Sequence, residues 1–106
     1  MKKPPERAQY FIDLFEPLGP VIAKRFFGGW SLQCHGTLFA VVLRDELYFR
    51  LSEDAKHRAT LEALGSAPFT YQSRNKDVVV RRFYAAPTGW LDDSDALCAF
   101  ARSLLS

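Results

Sequence analysis

Residues 25–51, RFFGGWSLQCHGTLFAVVLRDELYFRL, decide the fold. Short apolar runs are broken in this stretch by Gly-Gly, His-Gly and Arg-Asp-Glu. That is the signature of brief strands joined by tight turns. Val21, Ile22, Phe26 and Phe27 are strand formers, interrupted by Gly28-Gly29. Residues 30–34 supply a second short strand, and Gly36 of the His35-Gly36 pair can adopt the positive φ of a hairpin turn. Thr37–Leu43 is apolar on both alternate sets: Leu38, Ala40 and Val42 on one, Phe39, Val41 and Leu43 on the other. Strict alternation therefore predicts a central strand covered on both faces. After a polar turn at residues 44–46, residues 47–51 alternate, with Leu47, Phe49 and Leu51 opposite Tyr48 and Arg50. The stretch reads as an antiparallel meander.

Working outward, Phe11, Leu14, Phe15 and Leu18 recur at helical spacing behind Pro4-Pro5, which suit a first helical turn. Pro17 and Gly19-Pro20 then stop the chain, so a helix is predicted over residues 5–16. Downstream, Ser52 is the expected N-cap of a second helix, with Glu53 and Asp54 near its positive end and Gly65 closing it. Residues 69–71 and 78–84 form two more strands around a polar loop at 73–77. Asp92 or Asp93 caps a last helix that buries Leu97, Phe100, Ala101 and Leu104. The order helix, strands, helix, two strands, helix defines an α+β fold: two layers, with three helices on a mainly antiparallel sheet of five or six strands. The predicted core is Phe11, Leu14, Phe15, Phe39, Val41, Phe49, Leu61, Leu64, Val80, Leu97, Phe100 and Leu104.

With 106 residues, the chain is expected to form a single domain over residues 1–106. Nine Phe, four Tyr and two Trp exclude disorder. The longest apolar run, residues 38–43, is far too short to span a bilayer. Pro4, Pro5, Glu6 and Arg7 stand where a signal peptide needs an apolar stretch. No membrane association is expected, and a cytoplasmic location follows, in which Cys34 and Cys98 remain free thiols. A net charge of +2 is well short of a dedicated nucleic-acid binder.

No catalytic, cofactor or metal constellation emerges. Cys34-His35 is the one neighbouring Cys/His pair, and strand alternation sends the two side chains to opposite faces. A polar hairpin tip is the favoured reading; a small ligand-binding domain or enzyme using that end is the alternative. His57 is expected in solvent, at most pairing with Asp54. The Asp92-Asp93-Ser94-Asp95 cluster is explained by capping, and the cysteines and histidines lack metal-ligand spacing. Gly28-Gly29, without a Lys-Ser/Thr or third spaced glycine, reads as a tight bend rather than a phosphate loop. Basic residues do interleave with aromatics, and Arg25, Trp30, Arg50, Arg74, Lys76, Arg81 and Arg82 form a candidate interaction surface. Alternation places Arg81 and Arg82 on opposite faces. Nucleic-acid contact through these residues is expected to be weak and non-specific.

The same stretch resembles the N-terminal domain of the TfoX/Sxy proteins, regulators of natural competence for DNA transformation. Phe27-Gly28-Gly29, Gly36, Leu38-Phe39-Ala40, Asp45 and Leu47-Tyr48 occupy that pattern's places. So do Gly65, Pro68-Phe69, Tyr71, Lys76, Tyr84, Pro87 and Leu91-Asp92-Asp93, and the likeness runs over about residues 7–105. Trp30-Ser31 replaces the usual aromatic-glycine pair, and Leu38 stands where methionine is common. The resemblance implies a two-layer α+β domain without established catalytic residues, here without the competence regulators' C-terminal helical domain. It implies a non-enzymatic regulatory module with a protein partner. A homodimer that covers a sheet edge is a further expectation.

Overall fold

The computed structural model describes residues 5–53 and 55–105. The elements run α1 (Glu6–Leu14), β1 (Val21–Phe26), β2 (Gly29–Cys34), β3 (Thr37–Leu43), β4 (Glu46–Arg50), α2 (Ala55–Ala63), β5 (Pro68–Ser73), β6 (Lys76–Ala85) and α3 (Ser94–Leu105). One six-stranded antiparallel sheet has the order β1-β2-β3-β4-β6-β5. This is the α+β architecture that the sequence predicts.

Local chemistry sets the boundaries. Helix α1 begins after Pro5, whose carbonyl accepts from the Gln9 amide at 2.9 Å. It ends at Leu14, short of the predicted residue 16, and Glu16–Leu18 tighten into a 3-10 turn with Pro17 near its start. Helix α2 begins at Ala55, later than a Ser52 cap requires; Ser52 instead brings its hydroxyl to 3.0 Å from Nδ1 of His57. The roles expected of Pro4 and Asp54 lie outside the described residues. Helix α3 starts as predicted, with the Asp93 carboxylate accepting from the Ala96 amide at 3.1 Å. The polar loop predicted at 73–77 is shorter than expected: Arg74 and Asn75 alone make the turn.

All three helices pack on one face of the sheet. Phe15 of the loop after α1 meets Phe39 and Phe49 edge-on, at 5.0 and 6.1 Å between centroids, and Phe49 contacts Phe100 of α3 at 4.9 Å. Tyr84 is buried, and its hydroxyl donates to Glu62 at 2.9 Å, tying α2 to β6. Burial and then that hydrogen bond push the Tyr84 phenol upward from its ordinary pKa. Leu64 departs from the predicted core, because α2 is polar and turns only Leu61 inward; Leu64 is 51% exposed. Leu14, Val80 and Leu104 are half-buried at the margins.

The alternation of β3 is broken by a bulge. Leu32 faces Ala40 while Gln33 faces Leu38, so Phe39 is the extra residue. Phe39, Ala40 and Val42 therefore all join the helix-side core, and Leu38, Val41 and Leu43 serve the opposite face. Strict alternation had placed Phe39 with Val41. The extra residue resets the phase, as a one-residue slip must.

Candidate interaction surface

The face away from the helices is concave. Phe26 of β1 and Phe83 of β6 touch at 5.8 Å between ring centroids. Three strands separate β1 from β6, so in a flat sheet these residues would stand about 19 Å apart at ordinary strand spacing. The sheet is curled by its irregularities. Besides the β3 bulge, Pro68 faces Tyr84 while Phe69 faces Val80, so residues 81–83 are extra on β6. Beyond that point the β5–β6 hairpin extends alone, bent out of the main sheet.

The curl opens a groove of about 530 Å³ between the β1–β2 turn and the β5–β6 hairpin. Its lining is aromatic and aliphatic: Phe26, Phe27, Leu43, Phe69, Tyr71, Val80 and Phe83, with Arg44 the charged member. The Arg44 guanidinium lies over the Phe69 ring at 5.4 Å. A second depression shares Phe26, Val80 and Phe83 and is edged by Arg50, Arg81 and Arg82. Under the groove, Tyr48 is buried against Phe69 at 5.1 Å and donates its hydroxyl to Glu46 at 3.0 Å. Burial first, and the Glu46 carboxylate second, raise its phenol to about 12.

Two glycines shape the groove's near wall. Phe27 (φ 43°) and Gly28 (φ 79°) form a two-residue turn with both residues left-handed. A Cβ on Gly29 would lie 2.0 Å from the Val42 carbonyl oxygen, so β2 approaches β3 there as only glycine permits. The Gly28-Gly29 pair is thus the tight bend that its spacing predicts. Phe27 is the anomaly. A bulky residue in the left-handed region costs on the order of 1–3 kcal/mol, and its ring is 90% exposed, with one aromatic neighbour, Phe26, at 4.7 Å.

The seven sequence-predicted residues do not form one patch. Trp30 is buried on the helix side, 8% exposed, with Arg25 stacked over it at 5.3 Å. It is a core residue because β2 is an inner strand and position 30 shares a face with Val42. Arg74 and Lys76 sit at the tip of the β5–β6 hairpin, exposed. Arg50, Arg81 and Arg82 are the three that converge. The extra residues on β6 cancel the alternation that would have parted Arg81 from Arg82. Arg82 also reaches Glu53 at 3.4 Å, an exposed pair that contributes little. Sequence reasoning missed Phe27, Arg44, Phe69 and Tyr71. The available signal was an aromatic, rather than Asn or Asp, before the turn glycine.

The alternative at Cys34-His35 is not supported by the geometry. Cys34 is buried and its thiol points to the Leu18 carbonyl at 3.7 Å, whereas His35 is exposed in the turn. Cys98 is likewise buried, with its thiol 3.3 Å from the Leu14 carbonyl, and burial pushes its pKa up. Both cysteines are free. Among the described residues, no group of three or more His, Cys, Asp or Glu gathers as metal ligands. No helix among them is long and apolar enough to cross a membrane.

Fold and surface together define an α+β domain whose sheet is helix-covered on one side and carries an arginine-edged apolar groove on the other. The chain belongs to the TfoX N-terminal domain family, whose model matches residues 13–106. At family level this is a competence-related regulatory domain, and the family is not known as enzymatic. No curated protein matches the chain.

Proposed function

We propose that this chain is a non-enzymatic, cytoplasmic protein-interaction domain that regulates competence for DNA transformation by docking a protein partner. The observation that carries this reading is the uncovered apolar groove. A folded chain of this size gains stability by burying aromatics, yet among the described residues no helix lies over the Phe26–Phe83 face. Family membership supplies the biological context. The buried thiols and the hairpin-tip position of His35 argue against chemistry at the Cys34-His35 end.

The test is genetic. Deleting the gene in its native host should change transformation frequency and the transcript levels of DNA-uptake genes, and supplying the intact gene in trans should restore both. Unchanged transformation and transcripts in the deletion strain would remove the regulatory reading.

A further inference from the structure

Resting on the interaction reading above, the groove also indicates what kind of partner fits it. Two of its features bear on this. Phe27 holds a left-handed turn position that asparagine or aspartate would fill with less strain, and its ring, 90% exposed, contributes almost no burial to the fold. Such an outlier at a groove rim has the character of an anchor for something outside the chain. The second feature is charge. Arg44 edges one end of the apolar floor and Arg50, Arg81 and Arg82 edge the other, and no carboxylate lines either depression among the described residues. Of the acids around it, Glu53 faces Arg82 and Glu46 holds the Tyr48 hydroxyl.

The geometry points to an acidic amphipathic segment of a partner protein as the occupant of this groove. Its apolar side chains lie on Phe26, Phe83 and the exposed Phe27 ring, and its carboxylates meet Arg44 at one end and Arg50 and Arg81 at the other. Arginine matches carboxylates in a planar, two-point geometry, and opposite potentials set the register. Single-stranded nucleic acid fits less well. The groove's arginines stand in two groups at the ends of an apolar floor instead of tracking a backbone, and of its aromatics Phe69 and Tyr71 already stack on each other at 28°, while Phe26 meets Phe27 and Phe83 edge to face.

The experiment is selection of a random peptide display library on the intact protein, followed by titration of labelled synthetic peptides. Selected sequences should combine aromatic or aliphatic anchors with Asp and Glu. Their affinity should fall at least about tenfold in Phe27→Asn, and similarly in Arg44→Glu. Phe27→Asn should melt at or above the parent's temperature, so that lost binding is not lost folding. Replacing the peptide's Asp and Glu by Lys should abolish binding. The proposal is overturned if no peptide is enriched, if the enriched peptides are basic or neutral, or if Phe27→Asn binds them as the parent does. It is also overturned if labelled oligo-dT binds more tightly than the peptides at ~150 mM salt, or if sedimentation shows a dimer that Phe27→Asn dissolves, since a second copy would then be the occupant. A deletion strain that loses transformation while peptide selection fails would leave the regulatory role standing and remove only this assignment.

Discussion

The two faces of the sheet are built from similar residues and used differently. On the helix side, Phe11, Phe15, Phe39, Phe49 and Phe100 interlock, and the first four have no exposed surface. On the open side, Phe26, Phe69 and Phe83 are only half-buried, and Phe27 stands almost wholly in solvent. Aromatic content does not distinguish a core from a docking surface. What distinguishes them is whether another layer of the same chain arrives to cover it. The covered face stabilises the fold, and the open face is left with apolar area that a partner can bury.

The largest expected effect sets the two faces directly against each other. Phe39→Ala should cost about 3–5 kcal/mol, because it empties a fully enclosed site. Phe83→Ala should cost on the order of 1–2 kcal/mol, because its ring is already partly hydrated. Urea titration of both variants checks the difference, and equal losses would erase the distinction between core and surface. Next, Gly29→Ala should cost on the order of 3 kcal/mol, since a Cβ 2.0 Å from a main-chain oxygen must push β2 from β3. Thermal unfolding should show it well below Gly28→Asn, where nothing stands within 4 Å of the added Cβ.

Alkali separates the faces more gently. The Tyr48 phenol is raised from 10.0 to about 12 in the folded protein, so the unfolded chain gives up that proton first. Its contribution is therefore complete below pH 10 and is lost as pH rises through 12, on the order of 2 kcal/mol in all. Urea midpoints at pH 8 and at high pH should converge partway in Tyr48→Phe; the covered side adds to the alkaline loss through Tyr84 and Cys98, whose pKa values are raised as well. The smallest effect has the opposite sign. Phe27→Gly should leave stability unchanged or raise it by up to about 1 kcal/mol, because it relieves a left-handed aromatic. A clear drop in melting temperature would make Phe27 a structural residue and weaken the case for the groove.

The strands, the three helices and most of the core were legible because they follow from periodicity and punctuation. Val41, Phe49 and Leu61 fall where alternation and helical spacing put them, and Asp93 caps α3 as a carboxylate at a helix start should. The candidate surface was only partly legible. Arg50, Arg81 and Arg82 were visible as cations among aromatics, but Trp30 was misread, because a sequence does not say which face of an inner strand the helices will cover. Arg44 gave no sign at all, being a turn residue until the curled sheet carries it to the Phe69 ring.

By itself, then, the sequence determined the α+β class, the antiparallel meander, the Asp93 cap of α3, and its likeness to the TfoX N-terminal domain. These rest on interactions between residues near one another in the chain, where spacing and turn chemistry suffice. Only the tertiary structure decided that Phe39 and Ala40 share a face, that Arg81 and Arg82 edge one depression, and that Phe26 meets Phe83 across three intervening strands. Each of these depends on bulges that reset strand phase and bend the sheet. A bulge arises from how two strands pair, and pairing is a property of distant segments brought together.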